Sequence, residues 1–356
     1  MTEELKKRSP RIQYVDRLRG LAVLGMFVVH TPLPWMRPEY TNGEYGAAIS
    51  QISGMVAPVF LFLAGLAAAT IACRAVEKPG GGPFRSLIAR RGLEVLLVGY
   101  GLNLAFFALR GFSGGANLAL KVDVLPCIGA SLALAALLVQ PRRGRSWPAL
   151  AAAIVFVLGA QVTWRLPSPE HVPDAIAGYF MFIQGASRFP LFPYAGWVAL
   201  GVFVGQIWWR AIREPGTERR FFVTLVAAGA ALFAAGFLMK WIYYHYELNT
   251  LWMNGSPPRT TVHHFLFKAG VVFGLFGLAR LTAGLLDGIR REGLVLFGRT
   301  SLFAYCVHLI LVYHVAGPVL ARSLGPVGHV VGVAALTAAM HGSCTAWSSW
   351  RMRRVR

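Results

Sequence analysis

Apolar runs recur along the whole chain, separated by short stretches rich in Gly, Pro and Arg. Each run is about 20 residues long, the length a helix needs to cross a hydrocarbon core of about 30 Å. None has the apolar–polar alternation of a membrane barrel strand. The pattern predicts about ten helical spans, near 18–36, 50–73, 87–110, 122–140, 147–165, 189–209, 221–244, 261–283, 297–317 and 325–348. Gly and Pro inside the spans fit a bundle, in which neighbouring helices re-satisfy freed backbone groups. The expected fold class is all-α: a polytopic integral-membrane helical bundle. It forms one transmembrane domain over 1–356, with a tail at 1–11 and a basic tail at 349–356.

Composition agrees. Hydrophobic residues make up 56% and charged residues 14% of the chain, which excludes disorder and an ordinary soluble domain. The net charge of +20 would suit a nucleic-acid partner, but its distribution does not. Lys6, Lys7, Arg8 and Arg11 precede the first span. Arg74, Lys78, Arg85, Arg90 and Arg91 lie between the second and third. Arg142, Arg143 and Arg145 follow the fourth, Arg210, Arg213, Arg219 and Arg220 the sixth, and Arg290 and Arg291 the eighth. Arg351, Arg353, Arg354 and Arg356 end the chain. The alternate loops carry only scattered cations such as Arg37, Lys121, Arg165, Arg188, Arg259 and Arg322. This is the positive-inside pattern, with both termini cytoplasmic and the basic excess facing anionic membrane lipids. No nucleic-acid partner is expected. The charged first 11 residues and the lack of a small-residue cleavage site make the first span an uncleaved one. Cys73, Cys127, Cys306 and Cys344 sit in or beside apolar spans without ligand spacing, and no metal is expected.

Connectors are short. The outer loops 37–49, 165–189 and 245–260 carry Glu39, Tyr40, Glu44, Glu170, His171, Asp174, Glu247, Asn249 and Asn254. They are solvated connectors or, with Glu39 as one contact, the polar mouth of a site. Gly201-Val-Phe-Val-Gly205 reads as a close helix contact. Lys78-Pro-Gly-Gly-Gly-Pro83 lacks the Lys-Ser/Thr of a phosphate loop and reads as a connector.

The first span carries the most informative chemistry. Asp16, Arg19 and His30 share one helical stripe, Arg19 and His30 within about 20° of each other and about 16 Å apart along the axis. Ionisable groups at such depth are costly and mark function. An imidazole titrates near neutrality and can take a proton from an alcohol or amine. Arg19 either pairs with Asp16 as a brace or meets an entering anion, for which its planar fork is suited. Arg85, Arg90 and Arg91 at the cytoplasmic end of the third span are explained by topology, and they also offer a dock for a phosphorylated donor. His264 and Lys268 share a face of the eighth span. Arg299, Ser301, Tyr305 and His308 form a polar stripe in the ninth, where His308 reads as a buried histidine bonded to a neighbouring helix.

These residues resemble a known family. Asp16-Arg-Leu-Arg-Gly20 followed by His30, Ala57-Pro-Val-Phe-Leu-Phe-Leu-Ala-Gly65, Phe192-Pro-Tyr-Ala-Gly-Trp-Val-Ala-Leu-Gly201 and Gly298-Arg-Thr-Ser-Leu-Phe-Ala-Tyr-Cys-Val-His308 occur in order over nearly the whole chain. Together they are similar to the transmembrane acyltransferases, namely the acyltransferase 3 family and the related heparan-alpha-glucosaminide N-acetyltransferase catalytic domain. The resemblance implies transfer of an acyl group, acetyl foremost, from cytoplasmic acyl-CoA to a hydroxyl or amine of an extracytoplasmic glycan or lipid-linked saccharide. His30 and Arg19 match the Arg–His motif of acyltransferase 3 proteins, with His30 in the catalytic place and Asp16 beside them. Those proteins carry an Arg-x-x-Arg motif at the third span, to which Arg85, Arg90 and Arg91 correspond at other spacings. In the heparan-type branch the active histidine follows the first span, and 31–49 holds none here. Acceptor contacts are expected from Glu39, His264, Lys268, Tyr305 and His308. The expected location is a bacterial cytoplasmic (inner) membrane. A secondary transporter or flippase with an intramembrane His/Lys/Arg path is the rival reading, against which the two halves of the chain show no clear repeat.

Overall fold

In the computed structural model, residues 12–113, 115–141, 144–246, 261–283 and 292–354 are described. Lys6, Lys7, Arg8, Arg11, Arg142, Arg143, Glu247, Asn249, Asn254, Arg259, Arg290, Arg291 and Arg356 lie outside these residues. The described residues are mainly helical, with two isolated bridges and no strand. Contacts divide the chain into two compact units, Met1–Val56 with Leu278–Arg356, and Ala57–Gly277.

The first unit holds α1 (Gln13–His30) and the start of α2 (Glu44–Val76). The first span was expected to run to residue 36, but α1 stops at His30. Pro32 and Pro34 have no N–H to continue the ladder, and the chain turns once more over Pro32–Trp35. Met36 then pairs with Leu324 in a parallel bridge, flanked by Arg37 N–H to Leu324 O and Leu324 N–H to Trp35 O.

The ninth span was expected as one helix over 297–317 and is instead segmented. It comprises the end of α9 (Glu292–Arg299), α10 (Ser301–Ile310), a π-helical stretch at Leu311–Ala316 and one turn at Gly317–Leu320. Thr300 leaves the helical region at φ −106° and ψ 18°. Its hydroxyl bonds back to Leu296 O, a local alternative to the helical ladder. Pro318 would crowd the carbonyl four residues earlier in α register, and the wider π register precedes it. α11 (Pro326–Arg353) completes the unit.

The second unit holds the rest of α2, then α3 (Phe84–Leu109), α4 (Val124–Leu138), α5 (Trp147–Thr163), α6 (Leu191–Ala211), α7 (Thr217–His245) and α8 (Val262–Leu281), the last crossing its boundary. α6 is buried along almost its whole length. It packs on α2 through glycine: a Cβ at Gly65 would strike Val198 O, and one at Gly201 would strike Phe62 O. Gly205 of the GxxxG stretch meets Ala69 and Leu66, so the stretch permits the close approach its spacing suggested. Phe62, Trp208, Phe222 and Phe276 form an aromatic core with centroid spacings of 5.4–5.8 Å. The 165–189 connector is tied down by Tyr179, whose hydroxyl lies 2.7 Å from that of Tyr100. Burial and the Tyr100 hydrogen bond push the Tyr179 phenol well above its usual range, so it keeps its proton.

Seven described helices are long and apolar enough to cross a membrane: α2, α3, α6, α7, α8, Ser301–Leu320 and α11. α4 and α5 are shorter apolar helices, and α1 carries Asp16, Arg17 and Arg19. Leu97, Ile154, Val155, Phe237 and Leu238 are exposed on outward faces, which water does not tolerate and lipid does. The protein is a polytopic helical membrane protein.

Candidate active site

α1 carries two polar clusters, one near each end. At its first turn Asp16 is buried and accepts from Arg19 Nη1 at 3.2 Å and from Arg299 Nε at 3.4 Å. The carboxylate thus ties α1 to α9 while balancing two guanidiniums. Close backbone packing sets this geometry. A Cβ at Gly20 would strike Leu294 O, and one at Gly298 would strike Asp16 O. No other residue fits at either position without displacing backbone.

At the other end stands His30. Its Nδ1 lies 2.9 Å from Nε2 of His308 on α10. The rings are 5.1 Å apart and inclined by 24°. His308 is fully buried, and its Nδ1 lies 2.8 Å from Ala304 O in its own helix. A carbonyl only accepts, so His308 Nδ1 carries a proton. In the neutral ring Nε2 is then an acceptor, and His30 donates to it through Nδ1–H. The lone pair of His30 is left on Nε2, where a base or nucleophile needs it. Phe27 packs against the His308 ring at 5.2 Å and against Phe297 at 5.7 Å, walling the pair on one side. Tyr305 and Tyr313 approach His30 at 6.5 and 6.4 Å. Tyr313 lies on the π-helical stretch, whose i→i+5 hydrogen bonds reach one residue further than those of an α-helix.

The fold therefore brings together Asp16 and Arg19 with Arg299, and separately His30 with Tyr305 and His308. Glu39 lies in the same unit, exposed and paired with Arg37 at 3.4 Å. Arg85, Arg90, Arg91, His264 and Lys268 belong to the second unit. Arg90 and Arg91 are exposed and share Glu94, at 3.4 and 3.0 Å, while Arg85 lies over the Phe84 ring. His264 and Lys268 are half-buried on α8, next to the buried His263, whose Nε2 lies 3.4 Å from the Thr261 hydroxyl. Sequence reasoning passed over Thr31, Tyr45, Tyr313 and His329. Their partners lie far away in the chain or on other elements, so spacing along the sequence gives no signal for them.

The site is therefore an imidazole hydrogen-bonded to a second, buried imidazole within a helical membrane protein. The model of the family described as "Heparan-alpha-glucosaminide N-acetyltransferase, catalytic" matches residues 11–233, and the chain belongs to that family. The match includes Asp16, Arg19 and His30 and ends before Tyr305 and His308. No curated protein matches the chain.

Proposed function

We propose that the protein moves an acyl group, acetyl foremost, from cytoplasmic acyl-CoA to a hydroxyl or amine on an extracytoplasmic glycan or lipid-linked saccharide, with His30 as the base. The hydrogen-bond polarity of the histidine pair carries this reading, since it leaves the basic lone pair on His30 Nε2. His30 Nε2 takes the acceptor's proton as the acceptor oxygen or nitrogen attacks the thioester carbonyl. The new C–O or C–N bond forms, the C–S bond breaks, and the CoA thiolate leaves. The imidazolium returns its proton to the thiolate. While His30 is charged, its Nδ1–H bond to His308 Nε2 becomes charge-assisted and stronger.

His308 is assigned to orienting His30 rather than to binding acceptor, because both its nitrogens are engaged. Tyr305 and Tyr313, which both approach His30, flank the acceptor, with Glu39 of the same unit as an outer polar contact. Asp16 and Arg19 hold the donor-side end of α1. Arg85, Arg90 and Arg91 hold the donor's phosphates: all three are exposed, and the pairing of Arg90 and Arg91 with Glu94 is weak, so an anion can compete. The positive-inside charge pattern supports this orientation, in a bacterial inner membrane, with residues 1–356 acting as one acyltransferase domain. The family match, which runs from the first unit into the second, supports the same reading.

The test is acetyl transfer from radiolabelled acetyl-CoA by purified protein in nanodiscs, beside mass spectrometry of envelope glycans from cells with and without the protein. His30→Ala is expected to insert normally and to lose transfer. Turnover at the wild-type rate in that variant overturns the assignment.

A further inference from the structure

Thr31, the residue after His30, is completely buried. Its hydroxyl lies 2.9 Å from Phe27 O, 3.2 Å from Val28 O and 2.7 Å from Nε2 of His329. The two carbonyls can only accept, so the Thr31 proton goes to the α1 backbone and its oxygen accepts from His329 Nε2–H. That choice fixes the second ring nitrogen. His329 Nδ1 carries the lone pair, and the Tyr45 hydroxyl, 2.9 Å away, donates to it. The Tyr45 ring stands edge-on to the imidazole, 5.7 Å between centroids.

One directed chain therefore runs from Tyr45 at the start of α2, through the buried His329 near the start of α11, to Thr31 and the Phe27 carbonyl of α1. Every donor in it has an acceptor. The chain ends on backbone oxygens and has no branch to His30, so it cannot pass a proton to the reacting group. What it can do is hold. The last turn of α1 has lost its helical continuation at Pro32, and this chain anchors it to two other helices one residue beyond His30.

We infer that His329 is a positioning residue for His30: with Thr31 and Tyr45 it fixes the end of α1, so that His30 keeps its bond to His308 and aims Nε2 at the acceptor. The inference rests on the role of His30 proposed above. His308 sets the tautomer of His30, and His329 sets the place of the backbone that carries it. A misplacement of about 1 Å costs up to about a hundredfold in rate.

The experiment uses the full-length protein in nanodiscs with His329→Phe, His329→Gln, Thr31→Val, Tyr45→Phe and the double variant Thr31→Val/His329→Phe. Two readouts are taken: kcat and KM for acetyl transfer, and the rate at which diethyl pyrocarbonate modifies His30, followed by peptide mass spectrometry. His329→Phe and Thr31→Val are each expected to lower kcat at least about tenfold with KM nearly unchanged, and to change the His30 modification rate. Their losses overlap in the double variant instead of adding, since both cut the same link. His329→Gln, which keeps one donor and one acceptor, restores most of the rate. Tyr45→Phe, which removes only the outer bond, loses less. Folded His329→Phe and Thr31→Val proteins with unchanged kcat and unchanged His30 modification overturn the proposal. So do effects confined to melting temperature, or losses that add. If the wild-type protein transfers no acetyl group, the functional reading has failed, and the modification rates still decide whether His329 positions His30.

Discussion

His30 Nδ1 and His308 Nε2 stand 2.9 Å apart although 278 residues separate them in the chain. The contact turns a histidine at the end of a membrane helix into one with a defined tautomer. Its partner is itself oriented by Ala304 O, at 2.8 Å.

Replacing His308 therefore acts through His30. His308→Ala removes the acceptor for Nδ1–H and frees the ring to rotate and change tautomer. The expected loss in kcat is about a hundredfold, with KM for both substrates nearly unchanged. His308→Gln presents an acceptor oxygen to His30 and is expected to retain more activity than His308→Ala. Steady-state kinetics of the two variants, side by side, check this.

Gly298→Ala is expected to destabilise the protein. Its Cβ would strike Asp16 O, a backbone atom with no flexible end to yield. Forcing a methyl into such a contact costs about 1–3 kcal/mol, and a rigid neighbour puts it toward the upper end. Gly342→Ala, where nothing lies within 4 Å, is the control and is expected to be neutral or mildly stabilising through helix propensity. Thermal midpoints of the two variants in detergent separate them.

Asp16→Asn keeps the shape of the side chain and removes its charge. Arg19 and Arg299 then face each other across the α1–α9 contact without a carboxylate between them. Charge-assisted hydrogen bonds are worth about 1.5–3 kcal/mol each. Arg299 is nearly half exposed, so its share is smaller. A lower thermal midpoint is expected, and Arg19→Gln is expected to lower it less, because Asp16 keeps Arg299. Equal midpoints for Asp16→Asn and wild type would show that the pair does not hold the helices.

The triple variant Arg85→Gln/Arg90→Gln/Arg91→Gln is expected to raise KM for acetyl-CoA roughly fivefold, the worth of about 1 kcal/mol of exposed ion pairing. KM for the acceptor stays unchanged. The wild-type donor KM rises with salt more steeply than that of the variant, because screening removes what the substitution has already removed. Donor kinetics at two ionic strengths give the answer.

Much of the architecture is legible in the sequence. Apolar runs of spanning length marked where the long described helices lie, with ends off by up to about six residues, because lipid leaves the backbone no option but internal hydrogen bonding. Prolines and short polar bonds escaped that reading. α1 was expected to run to residue 36 and stops before Pro32, and the ninth span breaks at Thr300 and widens at Leu311–Ala316. Each of these features depends on a single side chain, which a hydropathy average does not register.

The site divides the same way. Asp16, Arg19 and His30 were visible because they are expensive groups on one face of one helix, and helical periodicity alone aligns them. Their partners were not visible as partners. Arg299, His308 and His329 come from helices at the far end of the chain, and nothing in local spacing says which of them meets Asp16, His30 or Thr31. By itself the sequence determined that the protein is a helical membrane bundle with an imidazole near one end of its first helix, since burial and periodicity are local properties. Only the tertiary structure decided which nitrogen of that imidazole carries the lone pair, since that depends on a carbonyl, Ala304 O, that reaches His30 only through the ring of His308.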